Sequence, residues 1–314
     1  MAQGIESRRR GLPGALSLAA IVALFGAGCA SLRPYAEVAA ALPPESPIEI
    51  DGRRVHVVDR GSGDPLVLLH GFGASTLLWE PVLPRLAAAR RVIAIDLNGF
   101  GWTERPSAPE AYTLAGQERL VLGVADALGL GRFDLAGHSY GGAISIYLAA
   151  RHPERVRSLL LVDSAMPSYS ALRRSRSFRN RTLSVLFVRA FALTPARVRF
   201  GLEASYADDS KVTDELVRAY LERLRVEGVG DAFHGLTAPN SEPPEQVDLA
   251  SLEMPTLVVW GAQDELIPAR DGRKAAETMP DAGFVELAGC GHSPMEECPE
   301  AFLAAVEPFL AVRH

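Results

Sequence analysis

Cysteine is scarce: the 314 residues contain three, at Cys29, Cys290 and Cys298. This excludes a disulfide-framed scaffold, and a chain of this length needs neither staple nor metal, because it can bury roughly 75% of the surface its unfolded form exposes. Excess positive charge is also lacking. With 32 Lys and Arg against 38 Asp and Glu the net charge is -6, which leaves no basic field for nucleic acid, so no nucleic-acid partner is expected. Internal repeats and low-complexity tracts are absent from the sequence, and a composition of 48% hydrophobic and 22% charged residues is that of an ordinary globular chain.

A long apolar run is missing too, with one partial exception. Arg8, Arg9 and Arg10 precede a mostly apolar stretch from Leu12 to Ala27 that ends in small residues before Cys29. As a helix it would reach roughly 24 Å, short of a ~30 Å hydrocarbon core. The layout is that of an export signal over residues 1–28. Gly28-Cys29 resembles the lipobox of bacterial lipoproteins, which implies lipidation of Cys29 and a periplasmic or outer-face location. Gly26 departs from the aliphatic residue usual three places before the cysteine. Plain secretion, an uncleaved anchor and a twin-arginine route are the alternatives. Residues 29–46 read as a linker behind the anchor.

From Pro47 the chain alternates strand-like and helix-like segments. Ile48 to Ile50, the turn pair Asp51-Gly52 and Arg53 to Val58 predict a hairpin. Aliphatic runs at Leu66 to Leu69, Val92 to Ile95, Phe133 to Ala136, Leu159 to Val162, Thr256 to Trp260 and Phe284 to Leu287 suit strands buried on both faces. Helical stretches at Thr113 to Leu128, Gly142 to Arg151 and Ala301 to Ala311 lie between or after them. The expected fold is α/β, a mostly parallel sheet with helices on both faces. Residues 166–251 hold no comparable strand and predict an inserted helical cap, which leaves 47–165 and 252–314 as the core. Part of the cap, Met166 to Leu202, has eight arginines and no acid. It either packs its apolar face on the core with the arginines in water, or lies on an anionic bilayer.

The chemistry begins at Gly137-His138-Ser139-Tyr140-Gly141-Gly142, directly between a strand and a helix. A serine there needs a very sharp turn, and Gly137 and Gly141 let the two backbones approach, which makes Ser139 a nucleophile candidate. A hydroxyl needs a base, and the base needs a carboxylate to orient it. Of seven histidines, His292 stands in a glycine-rich loop after the last strand, whereas the His138 side chain is expected to point away from Ser139. Asp264, just past the Thr256 strand, is the candidate acid; Asp163 is the runner-up and Asp96 a third strand-end acid that braces a loop. His70-Gly71-Phe72-Gly73 follows a strand, and the N–H groups of Phe72 and Tyr140 are the expected oxyanion donors.

In order and spacing these motifs resemble the α/β-hydrolase superfamily, in its lidded branch of serine esterases, lipases and cofactor-free haloperoxidase relatives, over Pro47 to the C-terminus. The resemblance implies the α/β-hydrolase fold, no cofactor, no metal, and ester hydrolysis through an acyl-enzyme on Ser139, with a small-molecule or lipid ester as substrate. Dehalogenase and epoxide hydrolase relatives place an aspartate where Ser139 stands. A carbon–carbon bond hydrolase of dienoate-type ketones sharing the same triad is the alternative, and a catalytically silent binding lipoprotein is the reading from another class. Cys290 and Cys298 are close enough in sequence to pair in an oxidising compartment, although sequence does not fix their geometry, and two free thiols are the expected state. Oligomeric state is not legible.

Overall fold

The computed structural model describes residues 31–43, 46–166, 181–182, 185, 188, 193–237 and 247–312. The expected export signal, Cys29, and Arg173, Arg174, Arg176, Arg179 and Arg189 of the cap lie outside the described residues. Among the described residues no helix is long and apolar enough to cross a membrane.

Eight strands, β1 (Pro47–Ile50), β2 (Arg53–Arg60), β3 (Pro65–Leu69), β4 (Arg91–Ile95), β5 (Phe133–His138), β6 (Val156–Val162), β7 (Thr256–Gly261) and β8 (Ala282–Leu287), form one sheet in the order β1-β2-β4-β3-β5-β6-β7-β8. The predicted hairpin is β1–β2, turned through Asp51 at φ +50° and Gly52 at φ +72°, the paired positive φ of a tight two-residue turn. β2 runs antiparallel to β4, and every pairing from there to β8 is parallel. All parallel strands therefore end at the same edge of the sheet.

Alternate residues of the central strands feed two cores. On one face Leu69, Ile95, Leu135, Leu161 and Trp260 pack against Leu120, Val124, Ile144 and Ala275. On the other, Leu68, Ala94, Leu160 and Val259 pack with Trp79, Phe302 and Val306. Burying one such aliphatic side chain contributes about 1.5–3 kcal/mol. β8 departs from the expectation of a strand buried on both faces: it is an edge strand, and of its six residues only Leu287 is fully buried.

Three described helices, Pro195–Glu203, Asp214–Leu224 and Val229–Thr237, stand between β6 and β7. Thr194 and Thr213 cap the first two through their side chains. Val198, Leu202, Val217 and Leu221 of the first two are continuous with the second core, so these helices sit on the sheet domain through apolar contact. Within the segment expected to be a linker, Tyr35–Ala41 is a helix. Just before it, the Arg33 N–H donates to Arg225 O at 2.8 Å and its carbonyl accepts from Glu227 N at 2.9 Å, which ties the N-terminal segment to the cap.

Candidate active site

Ser139 is the single residue between β5 and the helix Tyr140–Arg151, and its backbone sits at φ +50°, ψ -114°. A non-glycine residue there is strained by about 1–3 kcal/mol. Its surroundings hold it: Ser139 N donates to Val162 O at 3.0 Å, and its carbonyl accepts from Gly142 N and Ala165 N, each at 3.0 Å. A Cβ on Gly141 would stand 2.5 Å from Leu69 O and 2.6 Å from His70 O, and one on Gly137 would strike Gly141 O. Glycine is thus required at both places for strand and helix to meet so closely.

The loops after β7 and β8 bring Asp264 to His292. Nδ1 of His292 donates to Asp264 Oδ2 at 2.7 Å, and Oδ1 accepts from Leu266 N at 2.8 Å and Ile267 N at 3.0 Å. Burial opposes ionisation of Asp264, but its hydrogen bond to His292 and the charge there carry its carboxyl below the usual carboxylate range. A Cβ on Gly261 would collide with Gly291 O, so the end of β7 lies against the histidine loop.

His138 turns toward the histidine loop. Its ring lies 4.8 Å from that of His292, and its Nε2–H donates to the His292 carbonyl at 2.7 Å. Burial and the neighbouring His292 push it down to about 3, so it stays neutral. The elbow thereby holds the backbone of the candidate base, a role the sequence does not signal because the contact spans 154 positions.

The His70–Gly73 loop lies on the elbow. A Cβ on Gly71 would come 2.7 Å from His138 Nδ1 and 3.0 Å from Ser139 Cβ, so the backbone just before Phe72 lies against the elbow. His70 secures the loop: its Nδ1–H donates to Gly71 O at 2.8 Å and its Nε2 accepts from Leu97 N at 3.0 Å. The Phe72 ring meets Phe100 at 5.4 Å and Phe233 of the cap at 6.4 Å. Tyr140 opens its helix, where first-turn N–H groups have no intrahelical acceptor. Asp96 is a brace, its carboxylate accepting from Thr76 N at 2.6 Å and Trp102 N at 2.8 Å beside His56. Asp163, the residue after β6, is fully buried and accepts from Gly261 N at 2.8 Å.

The sequence reading also missed the two acids after His292. In the short helix Pro294–Glu297, Glu297 Oε1 accepts from Ala207 N and Asp208 N of the cap at 2.9 Å, while Oε2 accepts from Gly291 N at 2.7 Å. Glu296 Oε2 accepts from the hydroxyls of Tyr206 and Tyr220, each at 2.8 Å. Burial pushes Glu296 up to about 7, against the pull of the two tyrosine hydrogen bonds. The expectation of free thiols is overturned: Cys290 and Cys298, with Cα atoms 6.1 Å apart, form a disulfide across this segment. The loop and helix fold back sharply enough to bring them into bonding range.

Asp163, Asp264 and His292 offer three ligand-type atoms within 4.8 Å of one another. Nδ1 of His292 is already engaged by Asp264.

Known proteins share this fold. The chain is 32% identical over 274 residues to a 2-hydroxymuconate semialdehyde hydrolase of Pseudomonas putida, covering 83% of this chain and 92% of that protein. It superposes on a meta-cleavage product hydrolase from Pseudomonas fluorescens with a TM-score of 0.70 and 25% identity, covering 83% of this chain and 95% of that one. A thermophilic esterase from Thermogutta terrifontis matches with a TM-score of 0.70 and 27% identity over 85% of this chain and 96% of that one. The family model for the alpha/beta hydrolase fold matches residues 64–299, a span that runs from β3 past the histidine loop. With sheet order, elbow and family match in agreement, the chain belongs to the alpha/beta hydrolase fold family and is a hydrolase.

Proposed function

We propose that this hydrolase works through an acyl-enzyme on Ser139, and that its substrate is a dienoate-type ketone cleaved at a carbon–carbon bond. The observation that carries the chemistry is the 2.7 Å His292–Asp264 hydrogen bond at the sheet edge that also bears the strained Ser139. The Ser139 hydroxyl attacks the ketone carbonyl and gives its proton to His292, whose imidazolium Asp264 stabilises. The N–H groups of Phe72 and Tyr140 receive the oxyanion. Collapse breaks the bond between the carbonyl carbon and its neighbour. The electron pair leaves on a carbon conjugated to the dienoate, and that carbon takes the proton from His292. Water, deprotonated by His292, then releases the acid from Ser139.

The carbon–carbon reading rests on similarity to the 2-hydroxymuconate semialdehyde hydrolase over 92% of that protein's length. Ester hydrolysis, which needs the same residues and a better leaving group, is the second reading, favoured by the match to the thermophilic esterase. Turnover of a 2-hydroxy-6-oxo-dienoate, followed by loss of its conjugated absorbance, is compared with a chain-length panel of p-nitrophenyl esters. A higher kcat/KM on the dienoate is expected; the reverse ranking assigns the enzyme to esters, and inactivity on both favours the silent binding protein. We also propose export and lipidation at Cys29, supported by the three arginines, the apolar run and the small residues before it.

A further inference from the structure

Asp163 follows β6 and Asp264 follows β7, the strand beside it, so two carboxyl groups meet at the same edge of the sheet. Asp163 is fully buried and its backbone lies at φ +43°, so a non-glycine residue is held there at a cost. Oδ1 accepts from Gly261 N at 2.8 Å, whereas Oδ2 is buried with no donor among the described residues. The ligand-type atoms of Asp163, Asp264 and His292 lie within 4.8 Å of one another. The groups that face Asp163 are Asp264 and His292 from the loops after β7 and β8 and Glu297 from the helix beyond. Neutral His138 stands beside the His292 ring. None of these is a permanent cation. Two acids this close without one hold a proton between them. Asp264 accepts three hydrogen bonds and Asp163 one, so the proton belongs on Asp163. Burial, with the charge of Asp264, pushes the Asp163 carboxyl well above the usual range in the same sense.

Resting on the hydrolase reading above, we propose that Asp163 is a positioning residue that donates its carboxyl O–H from Oδ2 to Asp264 and so holds the Asp264 carboxylate against the His292 ring. It touches no substrate. Its hydrogen bond draws negative charge away from Asp264 and thereby tempers the stabilisation of the His292 imidazolium.

The pH dependence of p-nitrophenyl acetate hydrolysis by the full chain tests this with two substitutions. Asp163→Ala leaves Asp264 more strongly negative, so the acidic limb of kcat/KM moves to higher pH and kcat falls about tenfold, the scale of one hydrogen bond to a charged group, with KM little changed. Asp163→Asn, whose amide donates from the same position, restores the limb and most of kcat. A limb that moves to lower pH in Asp163→Ala means an ionised Asp163 and overturns the proposal, as does an Asn variant no better than Ala. Where Asp163→Ala does not fold, carbon NMR of labelled aspartate carboxyls gives the answer. One carboxyl still protonated at neutral pH, and missing from Asp163→Asn, is expected; its absence from the wild type overturns the proposal. That signal does not depend on catalysis, whereas activity surviving Ser139→Ala defeats the Ser139 acyl-enzyme reading alone.

Discussion

Ser139, His292 and Asp264 were legible as residues because each stands where a strand run stops and glycine or a turn begins, and edges of that kind are where a parallel sheet gathers its chemistry. Two substitutions test them. Ser139→Ala is expected to lower turnover about 10⁴-fold or more with an unchanged fold, read by steady-state kinetics beside circular dichroism. Labelling of the wild type by a fluorophosphonate, lost in this variant, is the companion measurement. Asp264→Asn should depress kcat far more than Asp163→Asn, because only Asp264 bonds Nδ1 of His292; the opposite ranking would move the catalytic acid to β6. His138, Glu296 and Glu297 were not legible. Their roles depend on partners 154, 76 to 90 and 89 to 90 positions away, apart from the Glu297 bond to Gly291, and a buried histidine or a surface-type glutamate pair carries no local mark of such a contact.

Among the elements, the central strands and the β1–β2 hairpin could be read because aliphatic runs and Asp-Gly pairs have a single common outcome in an alternating chain. The position of β8 at the sheet edge could not, since Phe284 to Leu287 is as apolar in composition as a buried strand and only the order of strands decides what covers it. The cap helices were legible only as the lack of strands. Their seating depends on the short helix after His292, and there the acids make separable predictions. Glu297→Gln keeps one carbonyl oxygen where two carboxylate oxygens served three N–H groups, so a drop in Tm and about a tenfold loss of kcat are expected, measured together on the purified protein. Glu296 behaves differently. Its carboxyl binds its proton more tightly in the folded protein, at about 7, than at its ordinary value of 4.5. The folded state therefore holds this advantage below 4.5 and loses it as pH rises to about 7. Glu296→Gln should remove that slope and leave the variant more stable than wild type at pH 8, as urea titrations at pH 5 and pH 8 would show. A slope unchanged by the substitution would assign it to other groups.

For the whole molecule, address and activity are separable. If Cys29 is lipidated, full-length protein made in a bacterium partitions into detergent as a mass-shifted species, each buried acyl CH₂ adding about 0.8 kcal/mol of membrane affinity. Cys29→Ser should abolish the shift, and unmodified Cys29 on soluble full-length protein would remove the anchor from the account without touching Ser139. The core and the cap share one apolar cluster, with Val198 and Leu221 packed alongside Phe302 and Val306, so the molecule should unfold as one unit. The Glu297 carboxylate gives that unity an operating logic. With one oxygen on the cap and the other on the residue before His292, it works as an interlock. A change that loosens the cap at this acid is therefore expected to reach the histidine loop as well, so that in Glu297→Gln the losses of Tm and kcat arrive together.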